Sequence, residues 1–251
     1  MSNVARHYEQ LLAAHYTWMF GSFEEKVVEH QTLFEHWGIH TNGLKTALDL
    51  GCGSGFQSIA LADLGFRVTA IDLSQRLLTE LDERKGARAI VPLQGDMRNV
   101  LQLIDAPVDV IVCMGDTLPH LESKHDVIRL LQDIHQLLAA DGRCMLSFRD
   151  LSTEQYALDR FIPVRSDANT IMTCFLEYEP ESVVVHDLIY TRQGEQWTLH
   201  KSSYRKLRLA LSWLVTQLQL AGFAIDIQES LRGMWFLVAH KKEHANGIST
   251  S

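Results

Sequence analysis

The stretch from Leu48 to Ser74 reads LDLGCGSGFQSIALADLGFRVTAIDLS. It opens with an apolar run typical of a buried strand, and three glycines, Gly51, Gly53 and Gly55, follow directly. Glycines between a strand and a helix permit the sharp turn that cradles a nucleotide-like ligand. The stretch ends near Asp72, at the carboxyl end of the second predicted strand, where an acidic side chain can bind both hydroxyls of a ribose.

The composition limits the class of protein. A chain of 251 residues is long enough for one sizeable domain, or for one domain with an inserted lobe. Its formal net charge of −8 argues against a nucleic-acid partner, which would need a cationic face. No apolar run is long enough to cross a membrane, so no membrane partner is expected. The four cysteines are scattered and form no C-x-x-C pair, which favours reduced thiols in a cytoplasmic protein.

Strand-like and helix-like runs alternate from residue 45 to residue 150. This alternation predicts an α/β fold with right-handed crossovers and a parallel sheet. The helix after the fourth strand is predicted over residues 123–142, and the fifth strand from Arg143. Residues 170–209 are β-rich instead, which predicts antiparallel strands that extend from the main sheet and wall one side of the ligand cleft. A final helix and two strands follow.

These patterns divide the chain into five segments. The predicted segments are an N-terminal helical lid (1–40), a cofactor-binding core (41–150), a substrate-side antiparallel β insertion (151–209), the C-terminal part of the core (210–242) and a flexible tail (243–251).

The glycine spacing helps to decide which cofactor is bound. The dinucleotide fingerprint G-x-G-x-x-G needs a glycine at position 56, where this chain has Phe56. Asp96 ends the third predicted strand, where it could accept from an adenine amino group while Met97 lies against the ring. Each feature has a simpler explanation: a tight turn without a ligand, an aspartate before a helix, or a helix N-cap. Their joint order at the carboxyl ends of consecutive strands favours an adenosyl ligand.

Taken together, these residues resemble those of class I S-adenosylmethionine-dependent methyltransferases. The resemblance implies a Rossmann-like, seven-stranded, mostly parallel sheet with the last strand antiparallel and helices on both faces. It implies S-adenosyl-L-methionine as the cofactor and S-adenosyl-L-homocysteine as the product. The cofactor-binding residues that it implies are Asp49, Gly51, Cys52, Gly53, Gly55, Asp72, Leu73, Asp96, Met97 and Met114.

A narrower resemblance, to glycine N-methyltransferase and its relatives, rests on VIVCMGDTLPHLES (110–123), LSFRDLS (146–152) and the inserted β segment. It implies transfer to the amine nitrogen of a small carboxylated molecule. Asp116 would orient the amine and Arg149 would clamp the carboxylate; the simpler alternatives are an Asx-turn at Asp116 and an ion pair between Arg149 and Asp150. The other predicted substrate-side residues are Tyr8, Tyr16, Thr117, His120 and Tyr204.

Three other functions stay open at this point: a nicotinamide-dependent oxidoreductase, a non-catalytic nucleotide-binding or regulatory domain, and a methyltransferase for RNA or protein. Phe56 disfavours the oxidoreductase. A non-catalytic binding domain would differ from a methyltransferase only in lacking turnover. The net acidity argues against RNA. No metal ligand motif is present, and the sequence leaves the choice between monomer and homo-oligomer open.

Overall fold

The computed structural model describes residues 3–41 and 45–242. The predicted tail, residues 243–251, therefore lies outside the described residues. The described chain forms two sheets with helices around the larger one.

Seven strands form the main sheet, in the spatial order β10-β11-β5-β4-β1-β2-β3. Their bounds are β1 Lys45–Leu50, β2 Phe66–Asp72, β3 Ile90–Gln94, β4 Val108–Cys113, β5 Leu138–Phe148, β10 Phe223–Leu231 and β11 Met234–Lys241. All neighbours among β1 to β5 are parallel, and β11 runs antiparallel to both β5 and β10. The predicted Rossmann-like sheet is confirmed, and the carboxyl ends of β1 to β5 share one edge.

Helices cover both faces of this sheet. Their bounds are α1 Asn3–Gln10, α2 Tyr16–Phe20, α3 Phe23–His36, α4 Phe56–Asp63, α5 Gln75–Lys85, α6 Val100–Leu103, α7 Lys124–Leu137 and α8 Leu211–Leu220. Because side chains alternate along a strand, Leu48 and Leu50 of β1 pack in the core under α7 and α8. Ala47 points to the other core, with α3 and α4. The sheet is thus buried on both sides, as its parallel strands require.

The inserted segment forms a sheet of its own. Its strands are β6 Phe161–Ser166, β7 Thr170–Tyr178, β8 Ser182–Gln193 and β9 Gln196–Leu207. They pair antiparallel in the order β6-β7-β8-β9, as predicted, but the expectation that they extend from the main sheet is wrong. β5 already pairs with β4 and β11, so it has no free edge to which a further strand could add. One face of the insertion, the inner face, carries Met172, Asp187 and Tyr204 and borders a cavity at the ends of β4 and β5.

Two helical boundaries also differ from the sequence prediction. Helix α7 ends at Leu137, and β5 begins at Leu138 rather than at Arg143, because Leu138 pairs with Val108 of β4. The N-terminal segment is helical but broken, with turns at residues 11–15 and 21–22. Among the described residues, no helix combines the length and apolar character that a membrane crossing needs.

Helix α1 is fastened to the inner face of the inserted sheet by a buried polar contact. His7 Nε2 lies 2.8 Å from Asp187 Oδ2, and both side chains are 1% exposed. Cys174 Sγ donates to the other carboxylate oxygen at 2.9 Å. The His7 ring packs against the ring of Tyr204, with 4.4 Å between the centroids. Buried polar atoms are costly to leave without partners, so this contact fixes where α1 sits.

We therefore expect Asp187→Ala to lower the free energy of unfolding by about 1–3 kcal/mol, since two buried partners lose their acceptor. Urea denaturation would measure the loss, and hydrogen exchange should become faster across residues 3–20. The matched control is Asp226→Ala, which removes a part-exposed carboxylate paired with His240 and Arg143. Equal effects of the two variants would contradict the anchoring role.

Candidate active site

The glycine turn after β1 is shaped by backbone angles that favour glycine. Gly51, Gly53 and Gly55 all have positive φ, between +54° and +95°. A Cβ at Gly51 would lie 2.2 Å from Thr117 Cγ2, and one at Gly53 would lie 2.8 Å from Tyr16 Oη. The turn therefore needs glycine both for its angles and for the side chains that approach it.

Asp72 joins this turn to the end of β2. Its Oδ2 accepts from the Gly53 N–H at 2.9 Å, and its Oδ1 accepts from the Ser74 N–H at 2.8 Å. Burial raises the pKa of Asp72, and the two N–H donors oppose that rise. Ser74 caps α5, and its hydroxyl donates to Glu9 of α1 at 2.7 Å. The N-terminal helix thus reaches the predicted ribose position.

Asp96, at the end of β3, pairs with Arg98, which is not among the residues predicted from the sequence. The guanidinium of Arg98 donates to both of its carboxylate oxygens, at 2.6 and 2.9 Å to Oδ2 and at 3.1 Å to Oδ1. Burial raises the pKa of Asp96, but Arg98 outweighs it and leaves the pKa below its ordinary value. Asp96 is also the N-cap of the following short helix, which was its simpler explanation.

A cleft runs along the carboxyl ends of β1, β2 and β3. Its lining includes ten residues named from the sequence: Tyr8, Tyr16, Gly51, Gly53, Asp72, Leu73, Asp96, Met97, Thr117 and His120. The last two close the end beyond β4. Four predicted cofactor residues, Asp49, Cys52, Gly55 and Met114, are buried behind this lining, and their contact with the cofactor stays a prediction. Asp49 accepts from Ser58 Oγ at 2.6 Å.

A second cavity, of about 480 Å³, adjoins this cleft. It lies between the N-terminal helices, the inner face of the inserted sheet and the ends of β4 and β5. The cleft and the cavity have four lining residues in common: Tyr8, Tyr16, Gly115 and His120. A ligand in one can therefore meet a ligand in the other at these residues.

Asp116, Arg149 and Lys206 form a charged cluster in the wall of this cavity. Asp116 has a φ of +70° and is 3% exposed. Its Oδ1 accepts from the Arg149 N–H at 2.9 Å, and its Oδ2 accepts from Lys206 Nζ at 2.5 Å. Burial raises the pKa of Asp116, but Lys206 and Arg149 outweigh it and leave the pKa lowered. Asp116 is thus an ionised carboxylate between two cations.

The Arg149 side chain is not paired with its neighbour Asp150. Its Nη1 lies 3.6 Å from Asp116 Oδ2, and the side chain is 52% exposed. Asp150 accepts instead from the N–H groups of Ser152 and Leu211, each at 2.9 Å. The ion pair that offered a simpler explanation of Arg149 is therefore wrong, and the guanidinium faces the cavity.

Aromatic and imidazole rings stand where the cleft meets the cavity. The ring of His120 stacks on Tyr204 at 5.2 Å, and Tyr8 Oη lies 3.5 Å from His120 Nε2. Burial, aided by the charge of Lys206, lowers the pKa of His120 to about 3, so the ring is neutral. Its Nδ1 is buried and has no hydrogen-bond partner within residues 3–41 and 45–242. Burial also raises the pKa values of Tyr8 and Tyr16, which keeps both hydroxyls protonated.

Two residues of this site were missed although the sequence carried a signal for each. Lys206 is two residues from Tyr204, so strand periodicity puts both on the inner face. Arg205, between these two residues, lies on the outer face and binds Glu179. Asp187 follows Val183 and Val185 at two-residue steps, and a carboxylate in such an apolar row is unusual.

The residues of the cleft fit an adenosyl cofactor. The glycine turn brings bare backbone to its wall, and acidic side chains stand at the ends of β2 and β3. The lining also includes Met97, an apolar side chain that can pack on a ring, and Thr117, which binds the Met114 carbonyl at 2.7 Å. Phe56, at the position where the dinucleotide fingerprint has its third glycine, is 3% exposed and packs against the rings of Phe20 and Phe23.

Comparisons with known proteins agree with this geometry. Residues 47–142 match a family model described as a methyltransferase domain. A protein of Bacillus subtilis (strain 168), YqeM, which is provisionally named a methyltransferase, is 28% identical over 71% of this chain and 73% of its own length. The glycine/sarcosine N-methyltransferase of Aphanothece halophytica is 31% identical, over 48% of this chain and 44% of its own length.

Among solved structures, that of CalS10 from Micromonospora echinaspora has a TM-score of 0.70 to this chain at 16% identity. It covers 93% of this chain and 97% of its own, and it is described as an amino pentose methyltransferase with the cofactor bound. At this identity the likeness shows the fold.

The fold, the cleft and these matches define a class I S-adenosylmethionine-dependent methyltransferase. Residues 47–142 of this chain are a methyltransferase domain, and the lining of the cleft fits S-adenosyl-L-methionine as its cofactor.

Replacing Asp72 should weaken cofactor binding. We expect Asp72→Ala to reduce the affinity for S-adenosylmethionine by about 1–3 kcal/mol, since the cofactor's polar groups and the Gly53 N–H lose an acceptor. Isothermal titration calorimetry would measure it. Asp82→Ala, an exposed carboxylate on α5, is the control. Unchanged affinity in a folded Asp72→Ala protein would contradict the assignment.

A second prediction concerns how the free energy of unfolding depends on pH. Burial raises the pKa of Asp49 to about 7, although the hydrogen bond from Ser58 opposes the rise. Between about pH 4 and pH 7, the folded state therefore keeps the proton on Asp49, whereas the unfolded state has lost it. The free energy of unfolding falls as the pH rises through that window. Asp49→Asn lacks this titration.

The stability advantage of Asp49→Asn over the wild type should thus grow up to about pH 7 and stay level above it. Its slope should not exceed about 1.4 kcal/mol per pH unit. Urea denaturation of both proteins at several pH values gives the difference, in which the other titrating groups cancel. A difference independent of pH would refute the raised pKa.

Proposed function

We propose that this protein transfers a methyl group from S-adenosylmethionine to the amine nitrogen of a small molecule that carries a carboxylate. The observation that carries the proposal is the charged cluster of Asp116, Arg149 and Lys206 in the wall of a cavity that meets the cofactor cleft. The Arg149 side chain, half exposed at the cavity, can bind an acid there. The four cysteines are free thiols, which supports a cytoplasmic enzyme.

The cofactor would lie along the cleft. Asp72 would bind its ribose, Asp96 and Met97 its adenine, and the turn at Gly51 and Gly53 its methionine part. When bound, S-adenosylmethionine supplies a methyl group on a sulfonium that an amine can displace in line. Such a displacement needs orientation and exclusion of water more than it needs a strong acid or base.

Asp116 would orient the amine. Its carboxylate is ionised, and an ionised carboxylate has about four lone-pair sites, two of which are taken by the Arg149 N–H and Lys206. The others can accept an N–H of the acceptor. Such an interaction aligns the nitrogen lone pair with the methyl group and favours the developing positive charge on nitrogen.

Arg149 would hold the carboxylate of the acceptor. A guanidinium offers two parallel N–H groups to a carboxylate, and half of this side chain is exposed toward the cavity. Asp116 accepts a hydrogen bond from the backbone N–H of Arg149. The residue that would bind the carboxylate and the residue that would bind the amine are therefore held in a fixed relative position.

Neutral groups surround the transfer point. His120 is uncharged at physiological pH, and its unpartnered Nδ1 can bind a polar group of the acceptor. Tyr8 and Tyr16 stand in the walls of both the cleft and the cavity. Helix α1, anchored at His7 and at Glu9, would keep water away from the reaction, which is the proposed role of the N-terminal lid.

The experiment is an assay for S-adenosylhomocysteine formation with a panel of amines, their carboxylated forms and the matching amides. Carboxylated amines should be methylated with higher kcat/KM than their amides. If protein that is shown to bind the cofactor methylates none of these amines, the result would favour a regulatory binding domain.

Arg149→Lys should raise KM for carboxylated acceptors by about tenfold or more while changing kcat less, because a lysine keeps the charge but loses the paired N–H groups. Arg205→Lys is the matched control, since Arg205 binds Glu179 on the outer face of the inserted sheet. If Arg149→Lys affects acids and amides alike, the carboxylate anchor is wrong, whereas the methyltransferase class is unaffected.

A further inference from the structure

The second cavity is much larger than a glycine-sized acceptor requires. Its volume is about 480 Å³. An engineered apolar cavity of about 150 Å³ in another protein is enough to hold benzene. An acceptor with only an amine and a carboxylate would occupy the end near Arg149 and leave most of the space unfilled.

The lining of this cavity is divided by polarity. Asp116, Arg149 and Lys206 stand with Gly115 at the end that meets the cofactor cleft. Most of the remaining lining consists of apolar side chains from the N-terminal segment, β6, β7, β8 and β11, with Thr153, Gln155 and Asp187 among the polar residues between them. The apolar residues are Leu12, Met19, Phe20, Ile162, Val164, Met172, Leu176, Val185 and Met234.

Strand periodicity puts those of β7 and β8, namely Met172, Leu176 and Val185, on the inner face of the inserted sheet. Met172 pairs with Ile189, and Leu176 pairs with Val185, so the row continues across β7 and β8. On the outer face Ile171, the neighbour of Met172, is 40% exposed. The apolar wall of the cavity is therefore formed by the inner face of the inserted sheet, which lies opposite helices α1 and α2.

We propose that the methyl acceptor carries an apolar body larger than a benzene ring, which packs between the N-terminal helices and the inner face of the inserted sheet. This inference rests on the proposed N-methylation of a carboxylated amine. It assigns the polar end of the cavity to the amine and the acid, and the apolar end to substrate selection. Residues of β6 and β7 are then specificity determinants.

Binding of a graded series of α-amino acids tests the size of the body. Glycine, leucine, phenylalanine and homophenylalanine are titrated by calorimetry into the full-length protein, alone and saturated with S-adenosylhomocysteine. Affinity should rise by about fourfold for each methylene buried. Glucosaminic acid, a polyhydroxylated α-amino acid of size similar to phenylalanine, separates apolar character from size and should bind more weakly than phenylalanine.

Narrowing the cavity tests its location. Val164→Trp and Ile162→Trp place a large ring on the β6 wall, and either should reduce phenylalanine binding at least tenfold while leaving glycine within about twofold. Both positions are tested because one of them alone could disturb folding, which circular dichroism would reveal. Ile171→Trp, on the outer face, is the matched control and should change neither affinity.

The outcomes separate this inference from the proposed function. Glycine or glucosaminic acid binding as tightly as phenylalanine would overturn the apolar body, and so would tryptophan variants that leave phenylalanine binding unchanged. Methylation of carboxylated amines would still support the proposed function in those cases. If instead amides and acids bind and react equally, the proposed carboxylated acceptor fails, while the size series still reports on the apolar wall.

Discussion

A single buried carboxylate, that of Asp116, holds together the three strands that build the acceptor site. It follows β4, accepts from the backbone N–H of Arg149 after β5, and pairs with Lys206 of β9. Breaking such a buried pair by removing one partner costs about 3–5 kcal/mol, because the other charge is left unpaired. The main sheet and the inserted sheet therefore keep one relative position, and the cavity between them keeps its shape.

The N-terminal segment completes both the cleft and the cavity. Glu9 binds Ser74 near the predicted ribose site, and His7 binds Asp187 at the acceptor side. Between these two contacts Tyr8 lies beside His120, whose ring stacks on Tyr204. A helix of eight residues is marginal by itself, so its position depends on these contacts and not on helix propensity. Closure of the site is thus coupled to the inserted sheet.

Much of the core could be predicted because its signals are local. Gly51, Gly53 and Gly55 need positive φ, Ser74 caps α5, and Asp72 ends its strand, and each property follows from a few neighbouring residues. The end of α7 was mistaken because nothing local separates a helix from the strand that starts at Leu138. Pairing of Leu138 with Val108, thirty residues away, decides that boundary. The inserted strands were recognised, but their detachment from the main sheet depends on β5 having two partners already.

The sequence by itself indicated the class of protein and the cofactor, because strand–helix alternation over residues 45–150 and the glycine and aspartate positions at the strand ends can be recognised along the chain. Only the tertiary structure decided the acceptor side. The pairs of Lys206 with Asp116 and of His7 with Asp187 join residues that are far apart in the chain. The choice of Asp116 over Asp150 as the partner of Arg149 is likewise a matter of packing. The physical reason is that a charge selects its partner by distance and burial, which sequence spacing does not encode.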